Sequence, residues 1–201
     1  MNKNIDYLKE RFKDCFDVKF RELSTILGNG TVVFIDDLCN SQWMMEYMIL
    51  PLRGFGELKG EEEGISTPKD LIDKVLDMNM TGIAKDVDDA IFHVLSGDVI
   101  LVLNDYEEII YSEVKNMVRR GIGIPDTESV LKGPREGFNE LIVDNVALIR
   151  RRLKNPDLKF EAVYVGEKSQ TAVAITYIKG IVDENVLEDI RKKVKSLDLR
   201  F

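Results

Sequence analysis

Few side chains in this sequence could carry chemistry at a workable spacing. Asp36 and Asp37 close the apolar run Thr31–Ile35. Two carboxylates at a strand end could hold Mg²⁺ for phosphoryl chemistry. No phosphate-cradling glycine loop accompanies them, so they read as caps of the following helix. His93 is the single histidine, which leaves a histidine-based triad or zinc site poorly supplied. With no nearby acid or nucleophile assigned to it, it reads as a half-buried structural residue. Cys15 and Cys39 are the only cysteines and lack metal-ligand spacing, so they read as reduced thiols. Glu61-Glu62-Glu63 falls in a polar, glycine-containing stretch between Gly54 and Pro68, expected to be a mobile loop with solvated acids. The residues therefore point away from an enzyme, and no catalytic group, metal ligand or cofactor is assigned.

The polar residues that stand out lie on one helix. Gly133-Pro134 marks a turn with a proline suited to a first helical position. At about 100° per residue, Phe138, Leu141, Ile142, Val146, Leu148, Ile149 and Leu153 share one arc, which predicts a helix over Arg135–Lys154. Its acids lie toward the start and Arg150, Arg151, Arg152 and Lys154 toward the end, each sign favourable to the helix dipole. Asn145 interrupts the apolar arc, and Arg152 falls one heptad later on nearly the same line, so both are expected to point inward. A buried amide must be hydrogen-bonded; Asn145 is either a satisfied core residue or a polar contact at an interface. Arg150–Arg152 read as solvated cations at a helix end, or as partners for anionic headgroups. Arg135 and Glu136 leave the helix about 100° apart. Glu136 is explained by the helix dipole, whereas Arg135 can reach a carboxylate or carbonyl of another lobe or subunit.

The elements around this helix predict a mixed α/β fold of two small lobes. The first lobe covers residues 1–120: helices over Asn4–Phe16, Ser41–Leu50, Pro68–Met78 and Lys85–Leu95, an extended Val18–Leu23, an interior strand Thr31–Ile35, and a hairpin of Val99–Leu103 with Glu108–Val114. Residues 121–132 hold glycines and a proline and form the linker, which predicts lobes that hinge. The second lobe, 133–201, is α-β-β-α, with strands Phe160–Val165 and Thr171–Ile178 and a helix capped by Asp183. Ala172 and Ala174 leave one strand face short enough for the long helix to lie on it. Two strands make a marginal core, so a further strand is expected, from the linker or from sequence downstream.

Composition bounds the function from outside. The 201 residues are 44% hydrophobic and 32% charged, with a formal net charge of −8. That balance argues against nucleic acid as a partner. No apolar run approaches the roughly 18 residues of a membrane span, and no leader with an apolar core opens the chain.

Two strings carry a resemblance. GPREGFNELIVDNVALIRRRLK, followed by LKFEAVYVGEKSQTAVAITYIKGIV, closely resembles the soluble N-terminal domain of the A subunits of spore germinant receptors. DVKFREL, TVVFIDDL, ILPL and DDAIFHVLSGDVILVLND resemble the same family more loosely, so the likeness covers nearly the whole chain. GIPDTES departs from it, since the family usually has a glutamate before the proline. The resemblance implies the cytoplasm-facing domain of a membrane-bound receptor subunit at the spore inner membrane, anchored through downstream spans. It would work with B and C subunits, as an oligomer of A subunits, to turn a nutrient signal into ion release. It implies a coupling and assembly module in which Arg135, Glu136, Asn145, Arg150, Arg151 and Arg152 are candidate contacts. The alternative is a small-ligand domain that uses the cleft between lobes.

Overall fold

The structure is a computed structural model that describes residues 2–54, 64–115 and 137–197. A five-stranded, wholly antiparallel sheet forms from β1 (Val18–Thr25), β2 (Gly28–Ile35), β3 (Thr81–Ile83), β4 (Val99–Leu103) and β5 (Ile109–Ser112), in the spatial order β1-β2-β4-β5-β3. Every residue of β4 is buried. Its alternate side chains enter two separate cores, which is why this strand reads as an unbroken apolar run. Ile100 and Val102 pack with Ile5 and Leu8 of α1 (Lys3–Arg11), with Phe12 at its C-terminal cap, and with Ile91 and Val94 of α5 (Val87–Leu95). Val99, Leu101 and Leu103 pack on the other side. There they meet α2 (Ser41–Met44), a single π-type turn Met45–Ile49, α3 (Leu50–Leu52) and α4 (Pro68–Lys74), through Met44, Met48, Ile49, Leu52 and Leu71.

Local chemistry sets the helix starts. Asn40, and not Asp36 or Asp37, caps α2: its Oδ1 accepts from the N–H groups of Gln42 and Trp43 at 3.1 Å. Asp37 instead occupies the left-handed region, with φ +62°, which an aspartate tolerates in a turn. Thr67 and Asp70 form a reciprocal capping box on α4. Gly97, with φ +89°, turns the chain from α5 into β4.

The second lobe is built from α6 (Ile142–Arg152), β6 (Leu158–Val165), β7 (Thr171–Ile178) and α7 (Glu184–Lys195). β6 and β7 form a two-stranded antiparallel sheet, and a helix lies on each face. Val146 and Ile149 of α6 pack on Leu158, Phe160 and Ile178. On the opposite face Arg191 of α7 meets Glu161 and Tyr177. α6 thus meets the alanine-bearing face, though at its Leu158–Ile178 end, and Ala172 stays exposed. Among the described residues no helix is long and apolar enough to cross a membrane.

Two expectations are corrected. The helix does not extend over residues 137–141, which are not helical; it begins at Ile142, with Leu141 at the cap. Asn139 is the reason: its Oδ1 accepts from the Leu141 N–H at 2.8 Å and its Nδ2 donates to Asp144 at 2.7 Å, a local alternative to helical backbone bonding. Second, Arg152 is exposed and does not point inward, while Arg150 is fully buried. The expected loop acids Glu61–Glu63, the linker 121–132, the turn Gly133-Pro134, and Arg135 and Glu136 lie outside the described residues.

Candidate functional site at the junction of the lobes

Arg150 sits at the centre of the junction. Its side chain is 0% exposed and that of its partner Asp17 is 2% exposed. Nε donates to Asp17 Oδ2 at 2.7 Å and Nη2 to Oδ1 at 3.1 Å, the two-pronged geometry that makes arginine–carboxylate pairs strong. Nη1 donates to the Asn155 carbonyl at 3.2 Å, and the guanidinium carbon lies 4.7 Å from the centroid of the Phe160 ring. Burial by itself would lower the arginine pKa; the bonds to Asp17 and its charge outweigh it and raise the value. The charge is therefore fixed.

Main-chain bonds flank the pair. The Phe160 N–H donates to Asp14 O at 3.0 Å and the Phe16 N–H donates to Phe160 O at 3.1 Å, so Asp14–Phe16 meets β6 in a single parallel bridge, Cys15 opposite Phe160. Lys159 is almost wholly buried and donates to the Arg11 carbonyl at 2.7 Å; burial lowers its pKa. Arg11 pairs with Asp157 through both carboxylate oxygens, and that hydrogen bond holds the aspartate below its usual range. Lys154 reaches Ser96 Oγ at 3.2 Å and lies 5.5 Å from the Phe92 ring centroid. Together these contacts work against the free hinge that residues 121–132 suggest.

One contact is repulsive. Asp37 of the first lobe meets Asp144 of α6, and its pKa is raised by burial first and then by Asp144, with Arg151 pulling the other way. Beside the junction an open hollow of about 590 Å³ is lined by Phe12, Phe16, Phe20 and Phe160, with Lys9 and Glu161 among its charged residues.

Of the residues singled out in the sequence, the junction gathers Arg150 and brings Arg151 near Asp37. Asn145 is half-buried in the first turn of α6 and holds the lead-in: its Oδ1 accepts from the Asn139 N–H and its Nδ2 donates to the Asn139 carbonyl, both at 2.8 Å. The sequence reading missed Asp17, Lys159, Asp157 and Arg11. Asp17 had one signal, a lone acid between Phe16 and Val18, both apolar. His93 is not without an acid: its Nδ1 lies 2.7 Å from Asp98, whose other oxygen is 3.3 Å from Lys115, and the ring stacks on Tyr111 at 3.6 Å. No nucleophile completes that pair among the described residues, and no cluster of three acidic, histidine or cysteine groups there could hold a metal ion.

A buried ion pair between two α/β lobes, flanked by main-chain bonds and set beside an acid–acid contact, defines a joint, and the comparisons agree on where such a domain belongs. The model of the Bacillus/Clostridium GerA spore germination proteins matches residues 6–200, and the chain belongs to that family. It is 29% identical over 199 residues to stage V sporulation protein AF of Bacillus subtilis, covering 98% of this chain and 40% of that protein. Spore germination protein KA of the same species is 27% identical over 205 residues, covering 98% and 36% respectively. The crystal structure of the N-terminal domain of the A subunit of the Bacillus megaterium spore germinant receptor GerK3 has the same fold: TM-score 0.75 and 22% identity, covering 98% of this chain and 71% of that one. The chain spans about two fifths of the length of these curated relatives.

Proposed function

We propose that this chain is the coupling and assembly module of a germinant receptor A subunit. It lies on the cytoplasmic side of the spore inner membrane, contacts B and C subunits and further A subunits, and passes a nutrient signal toward ion release. The observation that carries this reading is the Arg150–Asp17 pair. A joint sealed by a buried, two-pronged ion pair transmits a displacement of one lobe to the other, which a loose tether would absorb. The family supplies the setting. The exposed Arg151 and Arg152 and the half-buried Asn145 lie on the same helix as Arg150 and are the candidate outer contacts.

The test is co-purification from spore membranes. An A subunit carrying Asp17→Ala is expected to lose its B and C partners or its germinant response. Normal assembly and response would end the proposal. The hollow beside Phe12, Phe16, Phe20 and Phe160 favours a second reading, a small-ligand domain. A ligand at about 100 times its Kd would stabilise the isolated chain by about 2.7 kcal/mol, whereas a pure coupling module melts unchanged with every nutrient tried.

A further inference from the structure

Sheet edges invite pairing unless something protects them, and among the described residues all but one are protected. β1, at one edge of the large sheet, carries Lys19, Arg21 and Glu22. β3, at the other edge, is three residues long. Charge and brevity are the usual safeguards. In the small sheet the outer edge of β6 is bridged at Phe160 by Asp14–Phe16, and the strand carries Lys159 and Glu161. β7 has neither safeguard: TAVAITYI runs eight residues without a charge or a proline.

Its outward groups can be named. Asp157 stands opposite Lys179, one step beyond the Leu158–Ile178 pair, and the Lys179 N–H donates to Asp157 O at 2.8 Å. Antiparallel pairing alternates, so Thr171, Val173, Ile175 and Tyr177 turn their main-chain groups toward β6, while Ala172, Ala174 and Thr176 turn theirs away. The outward groups of these three have no partner among the described residues. Just after β7, Ile181 is also uncovered, 78% exposed.

The first lobe displays the same unit completed. There a helix of 9 residues precedes two antiparallel strands of 8 residues each, β1 and β2. In the second lobe a helix of 11 residues precedes two antiparallel strands of 8, β6 and β7. The far edge of β2 is covered by β4, antiparallel, from Gly30 opposite Leu103 to Val33 opposite Ile100. Nothing among the described residues covers β7 in that way.

We propose that the outer edge of β7 is the docking site for one further antiparallel strand of continuous apolar sequence, resembling Val99–Leu103, supplied by the same A-subunit chain. That source is favoured because the solved relative's domain shares this fold and extends beyond what this chain matches. The inference rests on family membership and not on the coupling role.

Amide hydrogen exchange tests it, resolved by residue. In the 201-residue chain at low concentration the Ala172, Ala174 and Thr176 amides exchange fast, while Val173, Ile175 and Tyr177 are protected. Adding the part of the GerK3 A-subunit domain that this chain does not match, as a fusion or as a separate fragment, slows the three outward amides by roughly 100-fold or more. Ala174→Pro removes one outward N–H; it leaves the 201-residue chain folded and abolishes the added protection. Outward amides already protected in the dilute chain overturn the proposal. So does protection that rises with concentration, the mark of a second copy pairing edge to edge. Exchange unchanged by both the fusion and the fragment overturns it as well.

Discussion

Removing one partner of the buried pair gives the sharpest energetic test. Asp17→Ala leaves the Arg150 guanidinium, fully buried, without a carboxylate partner, beside the Asn155 carbonyl, the Cys15 thiol and the Phe160 ring. Stranding a buried charge in this way costs about 3–5 kcal/mol. Whole domains are stable by only about 5–15 kcal/mol, and for a chain of this size each kcal/mol moves the melting temperature by about 2–4 °C. A fall of roughly 6–20 °C is expected. The double variant Asp17→Leu/Arg150→Met replaces the pair by apolar groups and is expected to regain most of that loss, since apolar replacements of buried ion pairs are often neutral. Urea unfolding of wild type, both single variants and the double variant measures the coupling. A single-variant loss under about 1 kcal/mol, or a double variant as unstable as the sum of the singles, would refute the view of Arg150 as the joint's anchor.

Three further outcomes follow from neighbouring contacts. The raised pKa of Asp37 means that the unfolded chain releases this proton at lower pH than the folded one. Stability is therefore complete below the usual carboxylate range and falls as pH rises through the raised folded value. Asp37→Asn should flatten that fall in a pH series of melting temperatures, and an unchanged slope would show that burial and Asp144 do not raise its pKa. Asn145→Leu removes both amide bonds to the Asn139 backbone and should cost about 1–3 kcal/mol and speed exchange over residues 139–145; a wild-type melting temperature would show that water replaces them without loss. Glu161 is held below its usual range chiefly by its bond to Arg191, so its contribution is present above that range and fades as pH falls through the lowered folded value. Glu161→Gln should loosen α7 at neutral pH, and unchanged exchange in that helix would count against it.

The sequence made the strands legible where burial on both faces demanded it. Thr31–Ile35 and Val99–Leu103 are apolar or β-branched throughout because each feeds two cores. β3 was not legible: Thr-Gly-Ile is too short to show a period and exists only through its pairing with β5. The start of α6 was misjudged because the apolar period continues back through Leu141 and Phe138, while the side chain of Asn139 offers the backbone another partner. The choice between Arg150 and Arg152 depends on Asp17, which is 133 residues away. Periodicity ranks helix faces by apolar content and cannot see a distant carboxylate.

The most direct measurement of the joint is the distance between spin labels on Asp88→Cys in α5 and Lys168→Cys in the turn between β6 and β7. Both positions are exposed, while the native Cys15 and Cys39 are buried. One narrow distance distribution in the otherwise native chain, broadened by Asp17→Ala in a chain that is still folded, is the predicted result. A broad distribution already present with Asp17 and Arg150 intact would contradict the claim that this pair holds the two lobes as one body.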